Sequence, residues 1–337
     1  MKDKVNIAID AMGGEAAPAK VIKGIELSLK TNKNNFFYLY GNSELIDKEI
    51  SKNKIVKEFS EIIEAKDIIS DDESPLNAAK KSKETSMWKT IESQKNNKAD
   101  ISLSAGNTGA LLVISRLILD TIKGIDKPAL AALWPNKNNM SVVLDLGANI
   151  ECNEKNLLDF SIMGSSLFKS LFNIDKPRIA LLNVGLEENK GNEVLKKTFS
   201  TLKESELKDF VFSGYIEGSQ IMDGDVDVII TDGFTGNIAL KTAEGTANFI
   251  TKNLKKSLNK LSILLSFNSL KKFKEKLDPR KYNGAIFLGL QGPVVKSHGS
   301  TDAVGFANSI DVCHKIVKAN LIEKIQSNLI LLDSKLK

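Results

Sequence analysis

The stretch "VDVIITDGFTGNIALKTAEG", Val226 to Gly245, decides how the chain is read. Its first six residues have the apolar, β-branched character of a buried strand, and its last dozen read as a helix. Between them stand Asp232, Gly233, Gly236 and Asn237. A strand that turns through glycine into a helix is the repeating unit of an open α/β sheet, in which ligands bind beyond the carboxyl ends of the strands. Glycine there lets the backbone come close to a ligand. The helix that follows offers unpaired N–H groups and the positive end of its dipole. The combination suits an anion, most simply phosphate, and Asn237 adds a neutral donor beside the helix start.

The same unit recurs outward from this stretch. Apolar β-rich runs lie at 5–10, 36–40, 100–104, 141–146, 178–183, 210–215, 226–231 and 293–296. Several lack alternation, as strands covered on both faces do. Helical patterns separate them. Val21, Ile22, Ile25 and Leu29 share one face with Pro18 near the helix start, and 109–122, 154–172 and 305–322 follow the same spacing. The alternation predicts a three-layer α/β fold with a largely parallel sheet, built as a single domain over 1–337. Residues 245–282 break the pattern. They carry no strand signal and one strongly apolar run, "LSILLSF" (261–267), which predicts a helical hairpin with an apolar tip and a basic body.

The 337 residues can bury a substantial core. No apolar run reaches the roughly 20 residues of a membrane span, and "MKDKVNIAID" lacks the apolar segment of a signal peptide. Cys152 and Cys313 make neither a metal-ligand spacing nor a disulfide framework. These features predict a protein of the reducing cytosol. The net charge of +5 is unevenly placed: residues 246–281 hold ten Lys/Arg against Glu275 and Asp278, a local +8 that leaves −3 elsewhere. A local patch fits one acidic partner surface and not a chain that coats nucleic acid. The bland reading of the segment is a solvated hairpin or subunit interface. The sharper one puts its lysines on anionic headgroups, with Leu261, Ile263, Leu264, Leu265 and Phe267 dipping into a membrane surface.

Six strands finish in glycine with small polar residues: "IDAMGGE" (9–15), "SAGNTGA" (104–110), "LDLGANIE" (144–151), "NVGLEENKGN" (183–192), "TDGFTGN" (231–237) and "KSHGSTD" (296–302). They are expected to converge on one anion pocket. The chain has no P-loop, no G-x-G-x-x-G after its first strand, no G-x-S-x-G elbow and no H-E-x-x-H. His298 is the one candidate for a Ser-His-Asp relay, since His314 sits mid-helix as a structural residue. Cys152 reads as a small buried hydrophobe. Asp10, Asp145 and Asp232 end strands, where aspartate holds loop amides as often as Mg²⁺, and neither a metal nor a cofactor is expected. Phosphate-binding turns without a protein nucleophile suggest that phosphate itself attacks. With a second pKa of about 6 it is largely a dianion at neutral pH. A thioester suits it, because a thiolate leaves with little acid help.

The motifs "IDAMGGE", "SAGNTGALL", "ALAALWP", "VLDLGANIEC", "NVGLEENKGNE", "DGFTGNIALKTAEG" and "YNGAIFLGLQGPVVKSHGSTDAVGFANSI" resemble the PlsX family, in order from about Ile7 to Ile310. That family comprises bacterial acyl-[acyl carrier protein]:phosphate acyltransferases. The resemblance implies transfer of a long-chain fatty acyl group from acyl carrier protein to inorganic phosphate, giving acyl phosphate for phospholipid synthesis. It implies a Rossmann-like fold akin to phosphotransacetylases and isocitrate/isopropylmalate dehydrogenases, a homodimer, and a cytoplasmic protein with peripheral membrane association. Acyl carrier protein, an anionic membrane surface or the next acyltransferase of the pathway are the implied partners. The nearest alternative is a phosphotransacetylase acting on a short acyl-CoA.

Carried onto this sequence, the resemblance places the active-site lysine at Lys190, with Asn192 beside it, and the asparagine of the glycine turn at Asn237. Lys190 would position phosphate, and Asn237 would donate to phosphate or the oxyanion. Asn107, Thr108, Gly109, Asp232, Gly233, Gly236, His298, Gly299 and Ser300 are expected along the anion pocket, with Asp10, Gly13, Gly14, Asp145 and Asn149 forming its loops. The plain alternatives are a solvated lysine at 190 and a helix cap at 237. Glu15, Ser82 and Gln291 depart from the family pattern without removing a proposed catalytic group.

Overall fold

The computed structural model describes residues 4–80, 83–205, 209–257 and 278–335. Its strands are β1 (Val5–Asp10), β2 (Asn35–Gly41), β3 (Ser60–Glu64), β4 (Ile101–Ser104), β5 (Ala129–Pro135), β6 (Met140–Leu144), β7 (Arg178–Asn183), β8 (Val211–Glu217), β9 (Val228–Ile230), β10 (Ala285–Leu288) and β11 (Val294–Lys296). They form one continuous sheet in the order β3-β2-β1-β4-β11-β10-β5-β6-β9-β7-β8. Three strands go beyond the sequence reading: β3, β5 and β10. Two of these change the topology. β10 is antiparallel to both β11 and β5, and β5 is antiparallel to β6, while the remaining pairings are parallel.

Helices cover both faces, giving the three expected layers. They are α1 (Ala19–Thr31), α2 (Ser43–Ile50), α3 (Lys54–Glu58), α4 (Pro75–Lys80), α5 (Ser86–Lys95), α6 (Thr108–Leu119), α7 (Glu154–Phe172), α8 (Glu193–Glu204), α9 (Gly233–Ser257), α10 (Ala303–Lys318) and α11 (Leu321–Lys335). The unbroken apolar strands explain the layering. Val142 and Leu144 of β6 join one core cluster with Phe160 and Met163 of α7 and Phe306 of α10. Val143, between them, joins a second cluster with Met87 of α5 and Ile114 of α6. Successive side chains of a strand point to opposite faces, so a strand buried on both is largely apolar.

Helix ends follow local chemistry. The pattern read as one helix over 305–322 is two, broken where Asn320 takes a left-handed φ of 51°. α6 stops at Leu119, ahead of Asp120 at φ 63°. α9 starts at Gly233 and is continuous through Gly245, where the sequence reading began a separate excursion. Ala239, Leu240 and Ala243 pack its first half on the sheet, whereas residues 245–253 are exposed. Leu261, Leu264, Leu265 and Phe267 lie outside the described residues. Among the described residues no helix is long and apolar enough to cross a membrane.

Candidate active site

The antiparallel joints at β10 and β5 decide where the loops go. β1, β4 and β11 run one way, and β6, β9 and β7 run the other. Their carboxyl ends therefore lie on opposite edges of the sheet. By strand direction the six loops fall into two groups of three.

The first cluster follows β6, β9 and β7. Asp145 is fully buried, and its Oδ1 accepts from the N–H groups of Leu130 (3.0 Å), Gly147 (3.2 Å) and Ala148 (3.0 Å). Its Oδ2 accepts from both the backbone N–H and the side-chain amide of Asn149, each at 2.8 Å. Burial pushes the Asp145 carboxyl upward, and the loop donors oppose that. Asn149 also donates to the carbonyl of Pro128 at 2.7 Å. Both residues thus tie the loop after β6 to the start of β5.

The helix start packs directly on that loop. A Cβ on Gly233 would fall 2.4 Å from the carbonyl oxygen of Asn149, and one on Gly236 only 1.9 Å from that of Asp145. Close backbone approach is why both positions are glycine. Asp232 caps α9, accepting from the Thr235 N–H at 2.8 Å and the Thr235 hydroxyl at 2.9 Å. The cap role being filled by Asp232, Asn237 does something else: its side-chain amide donates to the Leu146 carbonyl at 3.2 Å, and the residue is exposed.

Lys190 sits after β7, the strand next to β9. The loop that carries Lys190 and the helix start that carries Asn237 thus follow neighbouring parallel strands and leave the sheet at the same edge. The Lys190 side chain folds over Gly185, its backbone N–H donates to the Glu187 carbonyl at 3.0 Å, and its carbonyl accepts from Asn183 at 3.2 Å. Its ammonium is exposed and enters no ion pair among the described residues. Asn192 caps α8, accepting from the Leu195 N–H at 2.9 Å. Cys152, half-buried near this edge, has its thiol pushed up by burial to about 11, which keeps it protonated and inert at neutral pH.

The second cluster follows β1, β4 and β11. Asp10 is buried and accepts from the Ser104 hydroxyl at 2.7 Å, while Ser104 in turn accepts from the Gly106 N–H at 3.0 Å. Gly13 lies against this pair: a Cβ there would meet the Gly106 nitrogen at 2.6 Å. Asn107 caps α6, accepting from Ala110 N–H at 3.0 Å, and donates to the carbonyls of Asp71 and Glu73 at 2.9 Å each. Thr108 and Gly109 form the first turn of α6, with Gly109 packed under Pro75. His298 takes its backbone N–H to Asn283, and its Nδ1 pairs with the Ser300 hydroxyl at 3.0 Å. Burial, then the Lys296 ammonium, lower the His298 pKa, so the ring is largely neutral at pH 7. His314, on α10, pairs with Asn35 at 2.7 Å in the structural role expected of it.

Sequence reasoning missed two residues here. Lys20 on α1 and Lys296 at the end of β11 are only 7% and 8% exposed, and both turn toward the Gly14–Ala105–Gly299 turns. The available signal was slight: a lysine closing the apolar run "PVVK", and another on the buried face of α1. α9 links the clusters, because it leaves the first edge at Gly233 and brings the charges of Lys241 and Glu244 to act on His298 at the second.

Comparison with known proteins adds the relationships. The family model described as fatty acid synthesis protein matches residues 5–324. A phosphate acyltransferase of Pelagibacter ubique is 59% identical over 334 residues, covering 98% of this chain and 100% of that protein. One from Agrobacterium fabrum is 41% identical over 331 residues, covering 96% and 94%. Among solved structures, a phosphotransacetylase from Streptococcus pyogenes is similar at a TM-score of 0.62 and 16% identity, covering 95% of this chain and 94% of that one. A putative 4-hydroxythreonine-4-phosphate dehydrogenase from Salmonella typhimurium gives 0.52 at 12%, covering 93% and 99%. At such identities the two structures speak for the α/β fold alone, which is the fold class expected from the sequence.

Proposed function

The chain belongs to the fatty acid synthesis protein family, the PlsX family of the sequence reading, and from that premise we propose that it transfers a long-chain fatty acyl group from acyl carrier protein to inorganic phosphate. The full-length 59% identity to a phosphate acyltransferase carries the reading. Acyl transfer to phosphate is the part this family relationship supports. The carrier-protein donor and the acyl phosphate product are inferred from the motif resemblance.

In the proposed reaction a phosphate oxygen attacks the thioester carbonyl and forms the new C–O bond. The tetrahedral oxyanion collapses, the C–S bond breaks, and the carrier leaves as a thiolate that takes a proton from solvent. Lys190 supplies the positive charge that holds the phosphate dianion, and its exposed ammonium, without an ion pair among the described residues, is available for that. Asn237, in the second turn of the helix that follows the neighbouring strand, is the uncharged donor for phosphate or oxyanion in this reading. The tie of Asn237 to Leu146 fixes it without using all its donors, since a side-chain amide has two N–H groups. No protein nucleophile is needed, in keeping with the protonated Cys152 thiol.

The enzyme works as a homodimer at a peripheral membrane site, with the basic 245–282 segment meeting carrier protein or an anionic membrane surface. The deciding experiment incubates the protein with palmitoyl carrier protein and labelled phosphate, with acetyl-CoA in a parallel arm. Labelled palmitoyl phosphate is expected, and Lys190→Ala should abolish it while leaving the circular dichroism spectrum unchanged. Label appearing from acetyl-CoA alone points to a phosphotransacetylase instead, and an unaffected Lys190→Ala overturns the role given to Lys190.

A further inference from the structure

We propose that Lys20 and Lys296 form a second phosphate-group site, at the carboxyl ends of β1, β4 and β11 and apart from Lys190 and Asn237. The proposal rests on the reading above only for the source of the phosphate. Its geometry stands by itself.

Two lysines from distant parts of the chain are both more than nine-tenths buried and reach the same turns. The Lys20 ammonium donates to the carbonyl of Gly299 at 2.6 Å. The Lys296 ammonium donates to the carbonyl of Ala105 at 3.4 Å and to that of Ser297. Gly14 lies between them. A Cβ there would sit 2.8 Å from both the Ala105 and Gly299 carbonyls and 3.0 Å from the Lys20 ammonium. Gly14 has φ 78°, so glycine is required there for conformation as well as for space.

Neither lysine makes an ion pair among the described residues. Asp10 accepts instead from Ser104 and from the Met12 N–H, and the carboxylates of Glu15 and Asp71 act on the lysines without contact. An ammonium has three donors. Lys20 spends one on protein and Lys296 two, so three remain. Burying a cation without a contacting anion costs several kcal/mol, and here two such cations repel each other as well. A bound phosphate group removes that cost by offering several oxygens and one or two negative charges to the donors left over. The burial itself lowers the Lys296 pKa to about 8, and Lys20 is lowered in the same direction. At about 8 the Lys296 ammonium remains largely protonated at pH 7, as an anion site requires.

The chemistry is that of a phosphate group, and two sources carry it: free inorganic phosphate, or the phosphodiester of the carrier's phosphopantetheine arm. If the second source is right, α9 is the ruler between the held arm and the reacting thioester near Asn237.

The test is lysine footprinting on the full chain. The protein is treated with acetic anhydride at pH 8, and the labelling rates of Lys20 and Lys296 are read by mass spectrometry. One arm contains inorganic phosphate, one phosphopantetheine and one sulfate-free, phosphate-free buffer. Slowing of at least fivefold by inorganic phosphate supports the site with free phosphate as occupant. Slowing by phosphopantetheine alone supports it with the donor's arm as occupant. Equal rates in all arms overturn the proposal and leave the two lysines as ties for the carbonyls of Ala105, Ser297 and Gly299. The same arms repeated on Lys190→Ala separate this site from the reaction site, because protection of Lys20 and Lys296 must survive that substitution even if acyl transfer does not exist. Lys20→Met should weaken the protecting ligand about tenfold at Lys296, and Lys20→Arg should restore it.

Discussion

The side-chain amide of Asn237 donates to the carbonyl of Leu146 at 3.2 Å. This bond joins the second turn of α9 to the loop after β6, so one residue carries both a structural tie and the donor proposed for the reaction. The two roles separate by size. Loss of one neutral hydrogen bond costs about 1 kcal/mol, which in a chain this long lowers the thermal midpoint by only about 1–3 °C. Loss of an oxyanion donor lowers kcat by about 10²–10³-fold. Asn237→Ala is therefore expected to melt almost normally and to lose nearly all acyl phosphate formation. Undiminished kcat in a folded variant would falsify the donor role.

Two glycines of the same helix predict opposite outcomes. At Gly236 a methyl group would lie 1.9 Å from the carbonyl oxygen of Asp145, which is backbone and cannot swing aside. Gly236→Ala should cost about 3 kcal/mol or more in urea denaturation. At Gly245 a methyl would meet nothing within 4 Å. Gly245→Ala should raise stability by about 0.5–1 kcal/mol. If both variants shift stability in the same direction, the packing of α9 against the β6 loop is wrong.

Lys296 gives a pH dependence of definite sign. Burial holds its folded pKa at about 8 against 10.5 for the unperturbed group. Asp10 on β1 and Asp71 raise it, while Lys20 on α1 lowers it further. Between those two values the unfolded chain holds a proton that the native one has released, so stability rises with pH across that window. Below pH 8 both states are charged and the full penalty of the buried ammonium applies. Compared in phosphate-free buffer, Lys296→Met should be the more stable protein at pH 7, and its advantage should shrink by roughly 2–3 kcal/mol toward pH 10. A constant difference across pH 7–10 would show that the burial does not act on this group.

The apolar run at 261–267 supplies a prediction from sequence. Leu264→Asp combined with Leu265→Asp should reduce binding to vesicles of anionic phospholipid by tenfold or more, because each carboxylate must be desolvated to enter the headgroup boundary. Turnover of a soluble acyl donor should be retained. Flotation of the double variant equal to that of the parent chain removes the membrane role of the segment.

Much of the local organisation was legible because it is encoded locally. Apolar runs without alternation marked β6, β7 and β9, since a strand buried on both faces has no exposed position to fill with a polar residue. In sequence Gly233 and Gly236 read as room for a turn and a ligand, and the structure sets both against the backbone of the loop after β6. β3 was missed because Ser60–Glu64 is a polar edge strand with charged residues at 61 and 64. β10, only Ala285–Leu288, is too short to stand out from its glycine-rich surroundings.

The order of the motifs, the alternation of strand with helix and the family relationship were thus set by the sequence by itself, because each depends on residue type and spacing along the chain. Strand direction does not. Whether Asp10 and Asp145 end their strands on the same edge depends on how β10 and β5 pair with neighbours far away in the chain, and their antiparallel joints sent the two aspartates to opposite edges. The same holds for Lys20 and Lys296: nothing in their local sequence separates a solvated lysine from a buried one, and only the packing of α1 and β11 against the β4 turn removed them from water.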